Sequence, residues 1–316
     1  MMVSVKRKTL KRVLVIMLSA LLTYCTVSMV VTKIVYDAIF ERYDGEATVL
    51  SEESEALVAR RQEHFYDCGE ATLAGYFYDA GESSRSTLIV LAPGFHAGGD
   101  DYLPQIGSLL RRGWSVFAFD PSGSCGSEGE SYQGFPQEIS DLDATLAYVE
   151  QQGRFGCDKL VLLGHSRGGY AAGCILGYGH DIDAVVTVSG VNSAMEGIMA
   201  YSSSAVGPLA YGNYGFLWLY QTMLFGARTT NLSAYEEIMD SGVPTLVVHG
   251  TGDEDFPMDK NSIISHREQI CTPAVEYLTC DAPGQNGHTD LLFDPEGGAN
   301  EELMTQISDF LERSIG

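Results

Sequence analysis

The segment that most restricts how this chain can fold is residues 160–169. There Leu160-Val161-Leu162-Leu163 runs directly into Gly164-His165-Ser166-Arg167-Gly168-Gly169. A short, wholly apolar run bounded by glycine reads as a strand in a sheet covered on both faces. Residues 167–176 are rich in Gly and Ala, which suits a helix packed closely on that sheet. A serine at such a strand-to-helix corner sits on strained backbone. Glycines two residues to either side are needed because a Cβ there would strike the neighbouring strand and helix. The pattern Gly-x-Ser-x-Gly alone is common. Between a buried strand and a helix it is specific, because the corner lifts the Ser166 hydroxyl clear of the sheet above a helix N-terminus.

Strand and helix patterns alternate on either side of this corner from about residue 85, which predicts a mostly parallel central sheet with helices on both faces. Strands are expected at 87–92, 114–119, 160–163, 184–188, 245–249 and 274–278. Helices are expected at 101–112, 137–152, 167–176, 261–270 and 301–312. Residues 43–80 should supply antiparallel edge strands, 72–78 most clearly. Residues 191–240 break the alternation. Fifty residues exceed a simple connection, and the stretch is rich in Met, Tyr, Phe and Trp, so it reads as an inserted helical cap. Its apolar patch at 216–225 is too short to cross a bilayer. It is read as packing between cap and body and as a wall of the substrate pocket.

The N-terminus is of another kind. Lys6, Arg7, Lys8, Lys11 and Arg12 precede an uncharged apolar run at 13–32. Twenty helical residues span about 30 Å, the thickness of a bilayer core. The run is longer than a cleavable signal usually carries, and no small-residue cleavage site stands out. We therefore expect residues 1–40 to be a transmembrane signal anchor with a cytoplasmic basic tip, and residues 41–316 to face outward at the cell membrane. The chain bears a net charge of −23. Residues 1–40 hold six basic groups and one acidic, so the remainder stands at −28. That remainder should repel nucleic acid and anionic lipid. Cysteine spacing gives no metal motif, so no metal is expected. Cys271 and Cys280 are placed to bridge a helix end to the next strand.

A serine hydroxyl needs a base to become a nucleophile near neutral pH. Seven histidines are available. His288, in the loop between the last strand and the last helix, is preferred, and His96 is the rival. His249 reads as a structural histidine ending a buried strand, and His165 as pointing away from the serine. The orienting acid should come from His249-Gly250-Thr251-Gly252-Asp253-Glu254-Asp255, with Asp253 favoured over Asp255. Two backbone N–H groups should stabilise an oxyanion. Position assigns them to Arg167, just after the serine, and Phe95, after the first core strand.

Four motifs then occur in order: Pro93-Gly94-Phe95, Asp120-x-x-Gly-x-x-Gly-Ser127, Gly-His-Ser-Arg-Gly-Gly, and His249-Gly-x-x-Asp253 with a later Gly287-His288. Over about residues 70–316 the chain resembles the α/β-hydrolase superfamily, in particular its serine aminopeptidase-like and esterase-like branch. The resemblance implies acyl transfer to water with no cofactor, with Ser166, His288 and Asp253 as triad. Two departures bear on the subclass: Pro93 replaces the usual histidine before Gly94, and the loop after Asp120 lacks the common arginine. A carboxylic ester hydrolase acting on a small acyl ester is the leading expectation. The alternatives are a peptidase of the same fold, with Glu128 or Glu130 holding a substrate amine, and a non-catalytic membrane-tethered binding protein. Oligomeric state leaves no mark in the sequence.

Overall fold

The computed structural model describes residues 2–45 and 51–315. Residues 46–50, in the stretch expected to form edge strands, and the side chains of the basic residues 6–8 lie outside the described residues. In chain order the elements are α1 (Met2–Ile39), α2 (Glu52–Arg60), β1 (Gln62–Cys68), β2 (Ala71–Tyr78), β3 (Thr87–Ala92), α3 (Leu103–Arg111), β4 (Ser115–Phe119) and α4 (Phe135–Gln151). They continue with β5 (Lys159–His165), α5 (Arg167–Cys174), β6 (Ala184–Val188), α6 (Ala194–Val206), α7 (Leu209–Gly212), α8 (Tyr214–Thr230), α9 (Ala234–Ser241), β7 (Thr245–Gly250), β8 (Val275–Cys280) and α10 (Glu301–Ile315).

The strands form one sheet in the order β1-β2-β4-β3-β5-β6-β7-β8. From β4 to β8 every pairing is parallel, while β1 and β2 join antiparallel at one edge. The central strands β3, β4 and β6 are buried along their whole length, as expected of parallel strands covered on both faces. Alternate residues serve opposite cores. Leu88 and Val90 of β3 pack on the side of α4, α5 and the cap, whereas Ile89 and Leu91 pack on the side of α3 and α10. Each such side chain contributes about 1.5–3 kcal/mol. Pro104 and Pro136 stand in the first turns of α3 and α4, where a missing N–H costs nothing.

The order β4-β3-β5 marks the point where successive connections leave in opposite directions, and clefts form there beyond the strand C-termini. The Ser166 corner lies at that end. Between β6 and β7 the chain inserts α6–α9.

Two expectations need correction. Residues 261–270 do not form a helix; only a single 3-10 turn forms at Ile263–His266. Asn261 has a φ of 63°, and the Ser262 and Ser265 hydroxyls bond to nearby carbonyls in place of a helical ladder. Cys271 and Cys280 do not pair, and every described cysteine is free. The antiparallel edge strands expected within residues 43–80 are β1 and β2, with β1 outermost.

Helix α1 is apolar over Leu10–Ile39, long enough to cross a membrane. Its far end is built into the body. Tyr36 and Phe40 are buried, Tyr36 donates to the Gln133 carbonyl at 3.0 Å, and the Arg42 guanidinium donates to the carbonyls of Cys125, Ser127 and Gly129 at 2.8–3.0 Å.

Candidate active site

The Ser166 corner has the strain its sequence implies. Ser166 adopts φ 54°, ψ −114° between β5 and α5, a conformation that costs an L-residue about 1–3 kcal/mol. A Cβ on Gly164 would lie 2.3 Å from the Gly168 carbonyl oxygen, and one on Gly168 would lie 2.1 Å from that of Ala92. Both glycines are therefore steric requirements of the corner. The Ser166 N–H donates to the Val188 carbonyl at 2.8 Å, tying the corner to β6.

Three distant segments meet here. Ser166 Oγ lies 2.7 Å from His288 Nε2, and His288 Nδ1 lies 2.8 Å from Asp253 Oδ2. A carboxylate only accepts, so His288 carries its proton on Nδ1 and leaves Nε2 to accept from the serine. His96, the rival base, lines the same cleft but stacks on Phe95 and Tyr43 and makes no bond to Ser166.

Asp253 is held on all sides by donors. Its Oδ1 accepts the N–H groups of Asp255 and Phe256 at 3.0 and 2.9 Å. Its Oδ2 takes His288 and, at 3.3 Å, His249 Nε2, which also donates to the Phe256 carbonyl at 2.8 Å. Burial opposes the charge, but the donors from His249 and His288 outweigh it and hold the carboxyl well below the usual range. His249 is thus buried and structural, as expected, with one addition: it buttresses the acid.

His165 does point away from Ser166, yet it is not idle. Tyr102 Oη accepts the Gly94 N–H at 2.8 Å and lies 2.8 Å from His165 Nδ1. His165 Nε2 lies 3.0 Å from the His288 carbonyl. Burial, reinforced by the nearby His288, pushes His165 down to about 3, so the ring is neutral at ordinary pH. Sequence reasoning missed Tyr102 altogether. A tyrosine eight residues beyond Gly94 carries no signal until the fold lays it under the corner.

Gly94 is therefore committed, and Phe95 offers the next N–H on that loop. Among the described residues neither Phe95 N–H nor Arg167 N–H has an acceptor. The Phe95 ring packs at 5.4 Å from both Phe40 and Tyr201. The cleft above Ser166 measures about 360 Å³ and is lined by Phe95, His96, Tyr201, Asp255, His288 and Phe293, among others. A neighbouring recess of about 630 Å³ shares Asp255 and is lined by cap residues that include Met199, Tyr211 and Tyr214.

Residues 216–225 lie in α8, which packs on α4 of the body and on α1, with Leu217 and Gln221 buried and Gln221 bonded to Met195 within the cap. They line neither cavity, so the cap's share of the wall comes from elsewhere. Glu128 accepts the Thr72 N–H at 3.0 Å, and neither it nor Glu130 borders the cleft. Asp253, Asp255 and His288 bring three potential ligand atoms within 4.8 Å of one another. Both ring nitrogens of His288 are already bonded, so an ion there would have to displace Ser166 or Asp253.

A family model described as the alpha/beta hydrolase fold matches residues 87–222. The esterase Pf2001 of Pyrococcus furiosus superposes with a TM-score of 0.64 at 19% identity, covering 88% of this chain and 100% of its own. The chain has the α/β-hydrolase fold. Est1E from Butyrivibrio proteoclasticus, solved with ferulic acid, gives 0.59 at 16% identity, over 80% of this chain and 99% of its own. An esterase from Exiguobacterium antarcticum gives 0.55 at 14%, over 79% and 100%. No curated protein matches the sequence.

Two buried acids anchor the loops around this cleft. Asp120 accepts from Tyr76 Oη, Gly99 N–H and Gly126 N–H at 2.7–2.9 Å. That draws the loops after β3 and β4 together. Glu138 of α4 meets the Arg167 guanidinium at 2.8 Å, both side chains fully buried, with the Tyr132 ring 4.7 Å from the guanidinium carbon. The side chain of the residue after Ser166 thus turns inward, away from the cleft.

Proposed function

We propose that this α/β-hydrolase cleaves carboxylic esters through an acyl-serine intermediate. The observation that carries the reading is the chain of short contacts from Ser166 Oγ to His288 Nε2, 2.7 Å, and from His288 Nδ1 to Asp253, 2.8 Å. Ser166 Oγ attacks the ester carbonyl while its proton passes to His288 Nε2. The tetrahedral oxyanion rests against Phe95 N–H and Arg167 N–H at the start of α5, where the helix end also favours negative charge. Collapse breaks the ester bond, and His288 returns the proton to the departing alkoxide. Water then attacks the acyl-serine, losing its proton to His288; collapse breaks the bond between the acyl carbon and Ser166 Oγ, His288 returns the proton to Oγ, and the carboxylic acid leaves. Asp253 holds the imidazole in the working tautomer and offsets its charge. The named activity of the esterases above supports an ester over an amide substrate. The intact serine, histidine and acid argue against a mere binding role.

Helix α1 is read as an uncleaved anchor in the cell membrane, with the hydrolase body on the outer side.

Ser166→Ala in the full chain should abolish turnover of short p-nitrophenyl esters and labelling by a fluorophosphonate. Labelling at the wild-type rate would refute the assignment.

A further inference from the structure

The cap carries an apolar face that the body leaves uncovered. Residues 197–227 contain no Asp, Glu, Lys, Arg or His. In a chain that is 19% charged, a stretch of that length would hold about six charged residues. Much of this run is on the surface: Leu209, Tyr211, Tyr214, Leu219, Met223 and Leu224 are all exposed.

That face lies beside α1. Phe216 packs on Tyr24 at 5.7 Å, Asn213 donates to Thr32 Oγ1 at 2.6 Å, and Tyr220 packs on Tyr36 at 5.1 Å. Residues 24, 32 and 36 fall on one stripe of α1. Phe216, Leu219 and Met223 likewise share one side of α8, by their three- and four-residue spacing.

Depth decides what covers them. The apolar stretch Leu10–Ile39 has 30 residues, about 45 Å of helix against a bilayer core of about 30 Å. Lys11 and Arg12 mark one end of the span, and the exposed Lys33–Asp37 pair, 2.5 Å apart, marks the other. The core then takes roughly residues 13–32. Its last stretch, from Tyr24 to Thr32 and about 12 Å long, is where Asn213 and Phe216, at the start of α8, are docked, with Tyr220 against Tyr36 just outside it. The joint is stiff, because Phe40 is buried and Arg42 is bonded to the body. With α1 in a bilayer, the face of α7 and α8 has to enter the outer leaflet with it.

We propose that this uncharged face of the cap is embedded in the bilayer that holds α1, so that the enzyme is fixed on the membrane by two surfaces instead of hanging from one helix. The proposal rests on reading α1 as a membrane anchor. Charge supports lipid as the occupant: the acidic body is poorly suited to a membrane surface, and the one long uncharged run of the body is the part laid against the span. The recess lined by Tyr211 and Tyr214 shares Asp255 with the Ser166 cleft, which joins the embedded face to the site.

The test uses the full chain in phosphatidylcholine vesicles with brominated acyl chains, which quench tryptophan on contact. Leu219→Trp places a probe on the proposed face, and Tyr277→Trp places one on β8. The added emission at 219 should fall by about half relative to plain vesicles, with that at 277 unchanged. Flotation of the vesicles reports on α1 separately. If the protein floats and the 219 probe is not quenched, the cap stands clear of lipid or is covered by a second copy, and the proposal fails while the anchor survives. If the protein does not float, the anchor reading fails and the proposal with it. Should Leu219→Trp not fold, Met223→Trp on the same side of α8 gives the same readout.

Discussion

Tyr102 Oη stands 2.8 Å from His165 Nδ1 and accepts the Gly94 N–H at the same distance. Donor counting fixes the direction of the whole chain. Gly94 N–H can only donate, so the single tyrosine proton goes to His165 Nδ1. His165 then carries its proton on Nε2 and donates to the His288 carbonyl. One relay ties the loop that presents Phe95 to the loop that presents His288, and it passes beneath Ser166.

Tyr102→Phe should break that relay at its middle. It leaves a buried N–H and a buried imidazole nitrogen unpaired, a cost of about 1–3 kcal/mol. Urea unfolding should show that loss. In the folded fraction kcat should fall more than KM for a short ester rises, because the mutation loosens the loops that present Phe95 N–H and His288 while the ring at 102 and the cap side of the cleft stay in place. An unchanged kcat would mean the relay has no hold on either loop.

The same histidine predicts a pH dependence of stability. Folded His165 resists protonation down to about 3, through burial and the neighbouring His288, whereas an unfolded histidine takes a proton near 6.5. As pH falls below about 6.5 the unfolded state binds a proton that the folded state does not. Stability is therefore full above that pH and declines toward 3, by up to about 1.4 kcal/mol per pH unit. His165→Gln should flatten that part of the curve, measured by denaturant unfolding between pH 7 and 4. A parallel slope in the variant would assign the dependence to other groups.

The parts of this fold that were legible in sequence are those whose physics is local. A wholly apolar run such as 87–92 has few fates besides a buried strand. Gly164 and Gly168 announce a corner that tolerates no Cβ. The positions of Asp253 and His288 followed from where β7 and the last strand end. The parts that were not legible depend on distant partners. The Tyr102–His165 relay and the inward turn of Arg167 toward Glu138 join residues that are far apart in the chain. Neither has a local pattern.

Glu138 and Arg167 form an ion pair with no exposure to solvent. Glu138→Ala would leave a buried guanidinium with only the Tyr132 ring for company. The expected loss is about 3–5 kcal/mol, seen as a marked fall in Tm. Replacing both, as Glu138→Leu with Arg167→Met, should recover most of it, because two apolar side chains need no compensation. A double variant as unstable as the single one would show that the site requires polar groups for some other reason.

Asp253→Asn is the sharpest probe of the proposed mechanism. Four donors surround this carboxylate: two backbone N–H groups at Oδ1 and two imidazoles at Oδ2. An amide has one accepting end. The backbone donors at 2.9 and 3.0 Å cannot turn away, so the amide oxygen should settle there and aim its NH₂ at His288. His288 must then accept at Nδ1 and carry its proton on Nε2, where it can no longer take one from Ser166. The expected result is a fall in kcat of about 10⁴-fold with KM within a few-fold and the fold intact. Fluorophosphonate labelling of Ser166 should slow in parallel, since that reaction needs the same proton transfer. A loss of less than tenfold in kcat would remove Asp253 from the role and turn attention to Asp255, whose carboxylate lies in the same cluster.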